Sequence, residues 1–504
     1  MPRIQTVLAA NRGEIAVRII RACRELGLRA AAVYSDADAD ALHPRLADVR
    51  VPLGPPEPRE SYLNIGRLID AARRAEADAV HPGYGFLAES AEFAAAVRDA
   101  GMVWVGPPPE VIAALGDKAT ARRVAREAGI PEVPGYAEPG ASDEALRAAA
   151  RRLGLPVLIK AAAGGGGLGM RLVEREEALA EALRAARREA AAAFGSGGLL
   201  LERYLPEVRH IEVQVLADQH GSVLALGERE CSVQRRRQKI VEEAPSPFAS
   251  PALRARLAHA ARAVAAAAGY VSAGTAEFLV DADERFYFLE MNTRLQVEHP
   301  VTEATAGVDL VKAQLRIAEG EPLRLEPVEP RGHAIECRVY AEDPARDFRP
   351  SPGVIRLLRE PAGPGVRVDS GLREGWQVPV AYDPLLSKVI VWDRTREDAI
   401  DRMAEALRRY VILGCRTNLD FLQAIVGHEA FRRGETTTRF VERHFPGWRP
   451  GEPLLALAAA GILEALREAA PPAGAAGPAG PSGARPASDP WETIGPWRMG
   501  ARGA

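Results

Sequence analysis

The sequence predicts an α/β protein of several domains, and three observations support this. Its 504 residues exceed several-fold the roughly 150 of an ordinary domain. The first hundred or so residues alternate apolar strands with a helix of amphipathic spacing, the pattern of a small parallel sheet flanked by helices. From Gly116 the pattern changes to helix-forming Ala/Arg stretches alternating with antiparallel hairpins, and near residue 330 a β-rich section begins.

In chain order, residues 4–9 read as a buried strand and 13–26 as a helix that Gly27 stops. A second strand follows over 28–34. The apolar run 77–80 enters the loop HPGYGF, and 103–105 enters GPP, so loops gather at the strands' C-terminal ends. Within these first hundred or so residues no GxGxxG is present, so dinucleotide binding is not indicated there. A hairpin is expected in AEFLVDADERFYFLEMNTRLQVEH, and a helix over 396–410. After an apolar helix candidate at 453–469, the stretch APPAGAAGPAGPSGARPAS lacks the apolar content to offset its chain entropy and reads as a linker. These signals give expected boundaries at 1–115, 116–331, 332–446 and 447–504.

Composition narrows the function. Hydrophobic residues make up 47% and charged residues 26%, which excludes fibrous and wholly disordered classes. A net charge of −3 gives no general attraction to nucleic acid or anionic membrane. Cys23, Cys231, Cys337 and Cys415 are scattered without a CxxC pair, which argues against a disulfide framework or a zinc site and favours a cytoplasmic protein. No apolar run reaches the roughly 18 to 20 residues of a membrane span. Only five of the 65 basic residues are lysines: Lys118, Lys160, Lys239, Lys312 and Lys388. Where arginine is used so heavily, a retained lysine suggests a place where a compact ammonium cannot be replaced by a planar fork.

Three motifs carry chemistry. In LPVLIKAAAGGGGLGMRLVE, Lys160 ends a strand, and Gly164, Gly165, Gly166, Gly167 and Gly169 lead into the next one. The lysine precedes the glycines, so this is not a P-loop. A glycine hairpin can still lay bare N–H groups over phosphates above the lysine's charge. The second motif is the acidic hairpin. A turn centred between Asp283 and Glu284 pairs Val280 with Tyr287, sets Glu277 opposite Glu290, and carries Asn292 and Arg294 onto the face of Glu290. Facing carboxylates need a cation or a proton between them, and Glu277, Glu290 and Asn292 are hard oxygen ligands suited to Mg²⁺ or Mn²⁺. The third, GERECSVQRRRQKIVEEAP, crowds Arg235, Arg236, Arg237 and Lys239 together as a candidate for a small anion such as phosphate or bicarbonate. His81 and His299 each precede a proline, and both a general-base role and a structural hydrogen bond fit them.

Together with ANRGEIAVRIIRAC, SYLNI, HPGYGFLAES, GDK, RHIEVQVL, EMNTRLQVEHPVTE, HAIECRVYAEDP and YDPLLSKV, these motifs make the chain from residue 4 to about 446 resemble the biotin carboxylase family of ATP-grasp enzymes. The resemblance implies an N-terminal Rossmann-like domain, a central ATP-grasp domain with a glycine-loop lid over about 132–204, a β-rich C-terminal domain, and a homodimer. It implies that Lys118 and Lys160 contact ATP phosphates, Glu202 and the Leu205 backbone the adenine, and His210 and Gln234 the ribose region, with Glu277, Glu290 and Asn292 holding the metals. Lys239, Arg294 and the Val297 backbone would bind bicarbonate. Glu298 would deprotonate it for attack on the γ-phosphate, giving carboxyphosphate, and Arg338 would stabilise the enolate-like oxygen of biotin.

Two positions depart from the family pattern. Leu168 stands where the glycine loop usually carries Arg or Lys, and Arg237 stands beside the nucleotide where His or an uncharged polar residue is usual. Altered ATP affinity and lid closure are expected from them. No lysine here has the Met-Lys-Met setting of a biotin acceptor, so biotin is expected on a separate carrier protein, with carboxyltransferase subunits as further partners. DPWETIGPWRMG looks like the start of a continuing acyl-CoA carboxylase α-subunit, of propionyl- or methylcrotonyl-type rather than acetyl-CoA. Two alternatives are another ATP-grasp carboxylate–amine ligase, which would not need Arg338 or QVEH, and a catalytically weak nucleotide-binding scaffold.

Overall fold

The computed structural model describes residues 3–162, 170–324 and 329–451; residues 1–450 form one compact unit and 451–504 another. The five glycines of the loop, Leu168, the helix candidate at 453–469 and the tail after it lie outside the described residues.

The N-terminal part is a parallel sheet of β1 (Thr6–Ala9), β2 (Arg29–Ser35), β3 (Val49–Gly54), β4 (Ala79–His81) and β5 (Val103–Trp104), in the order β3-β2-β1-β4-β5. The helix Gly13–Glu25 buries Ile15, Ala16, Ile19, Ile20 and Cys23, the stripe that its 3.6-residue period puts on one side. Gly27 ends this turn at φ +73°, a conformation that costs glycine nothing. His81 ends β4 with its ring fully buried.

A separate antiparallel sheet contains β6 (Gly135–Tyr136), β7 (Val157–Ala161), β8 (Arg171–Val173) and β9 (Leu199–Arg203), in the order β6-β9-β7-β8. The helices Asp143–Leu153 and Glu176–Phe194 contribute Leu146, Leu179 and Leu183 to a small core over this sheet. Lys160 sits at the end of β7, one residue before the strand stops.

The largest sheet joins the rest of the chain. It runs through β10 (Arg209–Ala217), β11 (Val223–Arg235), β12 (Gln238–Ala244), β13 (Ser272–Val280), β14 (Phe286–Asn292), β15 (His333–Tyr340), β19 (Val366–Ser370) and β20 (Leu385–Asp393), in the order β14-β13-β10-β11-β12-β15-β20-β19. Short pairs flank it: β16 (Glu342–Asp343) with β17 (Arg349–Pro350), and β18 (Leu357–Arg359) with β21 (Val411–Leu413). The helix expected at 396–410 is Arg396–Arg409. Its Thr395 cap accepts from the Asp398 N–H, and it buries Ile400, Met403 and Leu407. Gly371 follows β19 where a Cβ would stand 2.9 Å from the Glu14 nitrogen, so the strand can lie against the start of the first helix. Among the described residues no helix is long and apolar enough to cross a membrane.

The acidic hairpin needs one correction. Val280 pairs with Phe286, not Tyr287, because the turn is tighter than expected. Asp281 closes it: its N–H donates to the Arg285 carbonyl, and its carboxylate accepts from the N–H groups of Asp283 and Arg285. Glu284 takes φ +57° to complete the turn. A bulge at Leu289 then shifts the register by one residue and sets Glu277 opposite Glu290, as expected.

Candidate active site

A cleft of about 1020 Å³ opens over the large sheet. Lys118, Lys160, Glu202, Leu205, His210, Gln234, Arg237, Lys239, Glu277, Glu290, Asn292, Arg294, Val297 and Arg338 all line it. Glu298 lies just behind this lining and is fully buried.

Lys239 is the hub. Strand β12 brings it opposite Gln234 of β11, and its Nζ donates to Glu212 at 2.5 Å, Glu298 at 2.6 Å and Glu277 at 2.8 Å. A tetrahedral ammonium can meet three acids from three directions, which a planar guanidinium cannot. Burial works against the ammonium, but Glu212, Glu277 and Glu298 more than offset it and raise its pKa well above the usual lysine range. The wholly buried Arg229 holds the far side of Glu212 at 2.5 Å and is itself fixed by Gln214, Thr302 and Thr275 at 2.7–3.0 Å. The chain thus positions Lys239 through a buried arginine and an acid.

Glu298 is held from both sides. Its Oε1 accepts from Lys239 and its Oε2 from Arg338 at 2.9 Å, while Arg338 also donates to Glu242 at 2.6 Å. Burial pushes the Glu298 carboxyl up, but Lys239, Arg338 and Arg229 outweigh it and hold the group well below the ordinary carboxylate range. It is therefore ionised at neutral pH. Lys388, opposite Arg338 in register, donates to the Val297 carbonyl at 2.7 Å and lies 3.3 Å from Glu14. That contact fixes the backbone just before Glu298.

Arg294 spans the mouth of this cluster. It pairs with Glu89 at 3.1 Å and donates to Gln296 at 3.0 Å and Asn292 at 3.1 Å. At the other end of the cleft, Glu202 pairs with Lys160 and, at 3.2 Å, with Arg122. Asp117 caps the helix Lys118–Glu127 through the Thr120 N–H, which puts Lys118 at its first position facing the cleft. Burial lowers the Lys118 pKa, with Glu290 acting in the opposite direction. His210 lies 2.8 Å from Glu277, and its Nδ1 accepts from the Gln234 side-chain amide at 2.9 Å.

The residues fit a divalent ion. Glu277 is paired with Lys239, His210, Asn292 and Gln296, and it stays strongly acidic. Across the bulge, half-buried Glu290 has its pKa raised by burial and by Glu277. A carboxylate whose pKa is raised beside another acid, with an amide oxygen two residues on, is a hard-oxygen donor set that suits a divalent cation.

The basic run separates in space. Arg235 pairs with Glu342 and stacks 4.0 Å over Phe348, and Arg236 pairs with exposed Asp347, so these two serve side-chain acids. Arg236 and Arg237 turn the chain at φ +51° and +68°, and Lys239 enters the carboxylate cluster. His81 and His299 take the structural reading. His81 lies 3.3 Å from Gln314 and accepts from the Gly83 N–H, with burial lowering it to about 4. His299 contacts the Gln296 carbonyl at 2.8 Å, and burial lowers it further. Sequence reasoning did not single out Glu212, Arg229, Glu242, Glu89 or Gln214. Period-2 spacing of His210, Glu212 and Gln214 in RHIEVQVL was the available signal.

Three family models match consecutive stretches: the biotin carboxylase N-terminal domain over 3–112, the carbamoyl-phosphate synthase L chain ATP-binding domain over 117–326, and the biotin carboxylase C-terminal domain over 336–443. The biotin carboxylase of Nostoc sp. is 49% identical, with 87% of this chain and 99% of that one covered. Biotin carboxylase 1 of Bacillus subtilis is 48% identical, covering 88% and 99%. The biotin carboxylase domain dimer of Hydrogenobacter thermophilus 2-oxoglutarate carboxylase, solved with Mg-ADP, ADP and bicarbonate, superposes with a TM-score of 0.86 at 44% identity over 90% of this chain and 100% of that one. Similarity this high along nearly the whole length of such proteins leaves one assignment: the chain belongs to the biotin carboxylase family.

Proposed function

We propose that this chain uses ATP and bicarbonate to carboxylate biotin presented by a carrier protein, the first half-reaction of a biotin-dependent carboxylase. The observation that carries the reading is the buried Glu298, kept ionised between Lys239 and Arg338 at the floor of the cleft. A base needs to be in its acceptor form and within reach of the proton it takes. Lys239, Arg294 and the Val297 backbone would hold bicarbonate against it. Glu298 takes the bicarbonate O–H proton as the resulting oxyanion attacks the γ-phosphorus and ADP leaves, giving carboxyphosphate.

Lys118 and Lys160 would sit at the phosphates, Glu202 and Leu205 at the adenine end, and His210, Gln234 and Arg237 beside the ribose. A divalent ion, when bound by Glu277, Glu290 and Asn292, supplies charge that offsets the crowded phosphate oxygens. Carboxyphosphate then breaks its bond between the carboxyl carbon and the phosphate oxygen to give CO₂ and phosphate. The phosphate takes the biotin ureido proton, and Arg338 would stabilise the resulting oxyanion as the ureido nitrogen attacks CO₂. The 504 residues contain no lysine flanked by methionines, so a biotin acceptor of that kind lies outside them. The dimeric Hydrogenobacter relative supports a homodimer for this chain.

The test is ADP release with Mg²⁺ and bicarbonate, with and without free biotin. Stimulation by biotin supports the reading. Stimulation only by an amine would replace it with a carboxylate–amine ligase, and no turnover would point to a nucleotide-binding scaffold.

A further inference from the structure

Behind the cleft lie two buried carboxylates. Glu242 on β12 and Glu336 on β15 stand directly opposite each other in antiparallel register, so their side chains share one face of the sheet. Both are fully buried. One Glu242 oxygen accepts from Arg338, while its other oxygen and both oxygens of Glu336 have no hydrogen-bond partner among the described residues. Facing carboxylates out of water resist ionising together, and one proton makes either of them the donor the other lacks.

The surrounding charges do not supply that donor. Lys388 on β20 faces Glu336, yet its ammonium is engaged by the Val297 carbonyl and Glu14. Arg338 on β15 is committed to Glu242 and Glu298, and Lys239 on β12 to Glu212, Glu277 and Glu298. Glu298 itself adds a further negative charge facing the pair. Burial is the largest cause pushing both acids up, Glu242 to about 7 and Glu336 well above the carboxylate range.

We propose that Glu242 and Glu336 share one proton at neutral pH, and that this proton sets how much positive field Arg338 presents to the cleft. Glu336 is then a positioning residue that acts through Glu242 and Arg338 without touching a reactant. With the proton in place, Arg338 has one negative charge behind it and Glu298 beside it. Without the proton a second negative charge stands behind the guanidinium and weakens its hold on an oxyanion in front. The inference rests on the proposed role of Arg338 toward biotin.

Two measurements on the full chain test it. First, kcat/KM for free biotin is followed from about pH 6 to about pH 9 in wild type and in Glu336→Gln, an isosteric neutral side chain. Wild type is expected to fall about tenfold above the pair's apparent pKa and then level off, with KM for ATP unmoved. Glu336→Gln is expected to lose that alkaline limb; superimposable profiles would overturn the proposal. Second, infrared difference spectroscopy at pH ~7 should show a protonated-carboxyl C=O stretch in wild type that disappears in both Glu336→Gln and Glu242→Gln. Identical spectra would overturn the shared proton whatever the activity. A wild type inert toward biotin but carrying the band would support the shared proton and contradict the functional reading alone.

Discussion

Lys239 and Glu298 meet at 2.6 Å, and the same ammonium neutralises Glu212 and Glu277. One cation therefore serves three acids that are each within a tenth of full burial. Replacing it by Met leaves three buried carboxylates without their common partner. Lys239→Met is expected to lower stability by about 3–5 kcal/mol in urea unfolding and to reduce bicarbonate-dependent ATP turnover by at least about 100-fold. Lys239→Arg should not restore turnover, because a planar fork cannot reach Glu212, Glu277 and Glu298 together.

Glu298→Gln keeps the shape and an acceptor for Arg338 but removes the base. Turnover with bicarbonate should drop by about 10²–10⁴-fold, the usual worth of a positioned base. The ATP dissociation constant, read by calorimetry, should stay near wild type, since Glu298 lies behind the lining of the cleft. Equal losses in ATP affinity and turnover would mean that Glu298 only holds the fold.

Metal dependence separates Glu290 from the acids around Lys239. Glu290 has its pKa raised by burial and by Glu277, and a bound cation would relieve both. A chelator should abolish ATP turnover, and Mg²⁺ or Mn²⁺ should restore it. Glu290→Gln should raise the half-saturating Mg²⁺ concentration by about tenfold or more, equivalent to roughly 1.4 kcal/mol. An unchanged Mg²⁺ titration would remove Glu290 from the ligand set.

Much of this site was legible beforehand. Strands β1, β2, β4 and β5 and the helix Gly13–Glu25 follow from apolar periodicity, because burial is what periodicity reports. The expected apposition of Glu277 and Glu290, by contrast, holds only because the Leu289 bulge offsets a turn one residue shorter than assumed. The Leu289 bulge was not legible. Nor was the way Asp281 closes the turn, since a side chain that caps its own backbone leaves no periodic trace. The lysine count was a useful guide: Lys118, Lys160, Lys239 and Lys388 converge on the cleft or the shell behind it, whereas Lys312 pairs with Glu25 at the surface. Arg229 escaped notice because, in a chain rich in arginine, nothing local marks the one whose side chain is completely buried.

Away from the cleft, Glu230 gives a pH prediction of definite sign. It is buried with hydrogen bonds from Ser232 and Ser246, and burial, only partly offset by Arg209, raises it from 4.5 to about 7. Below pH 4.5 the group is neutral in both the folded and unfolded chain, and its contribution is fully present. That contribution is lost as pH rises through about 7, where the folded protein must ionise a buried acid. Relative to Glu230→Gln, wild type should lose about 2–3 kcal/mol between pH ~5 and pH ~8, read as the difference in urea midpoints.

The most direct measurement follows labelled bicarbonate. Incubated with ATP, Mg²⁺ and free biotin, the purified chain should move label from bicarbonate into carboxybiotin, with one ADP released per label transferred. Omission of ATP, or the Glu298→Gln substitution, should stop the transfer. Label that never reaches biotin, while ATP is hydrolysed at the same rate with or without bicarbonate, would contradict the account.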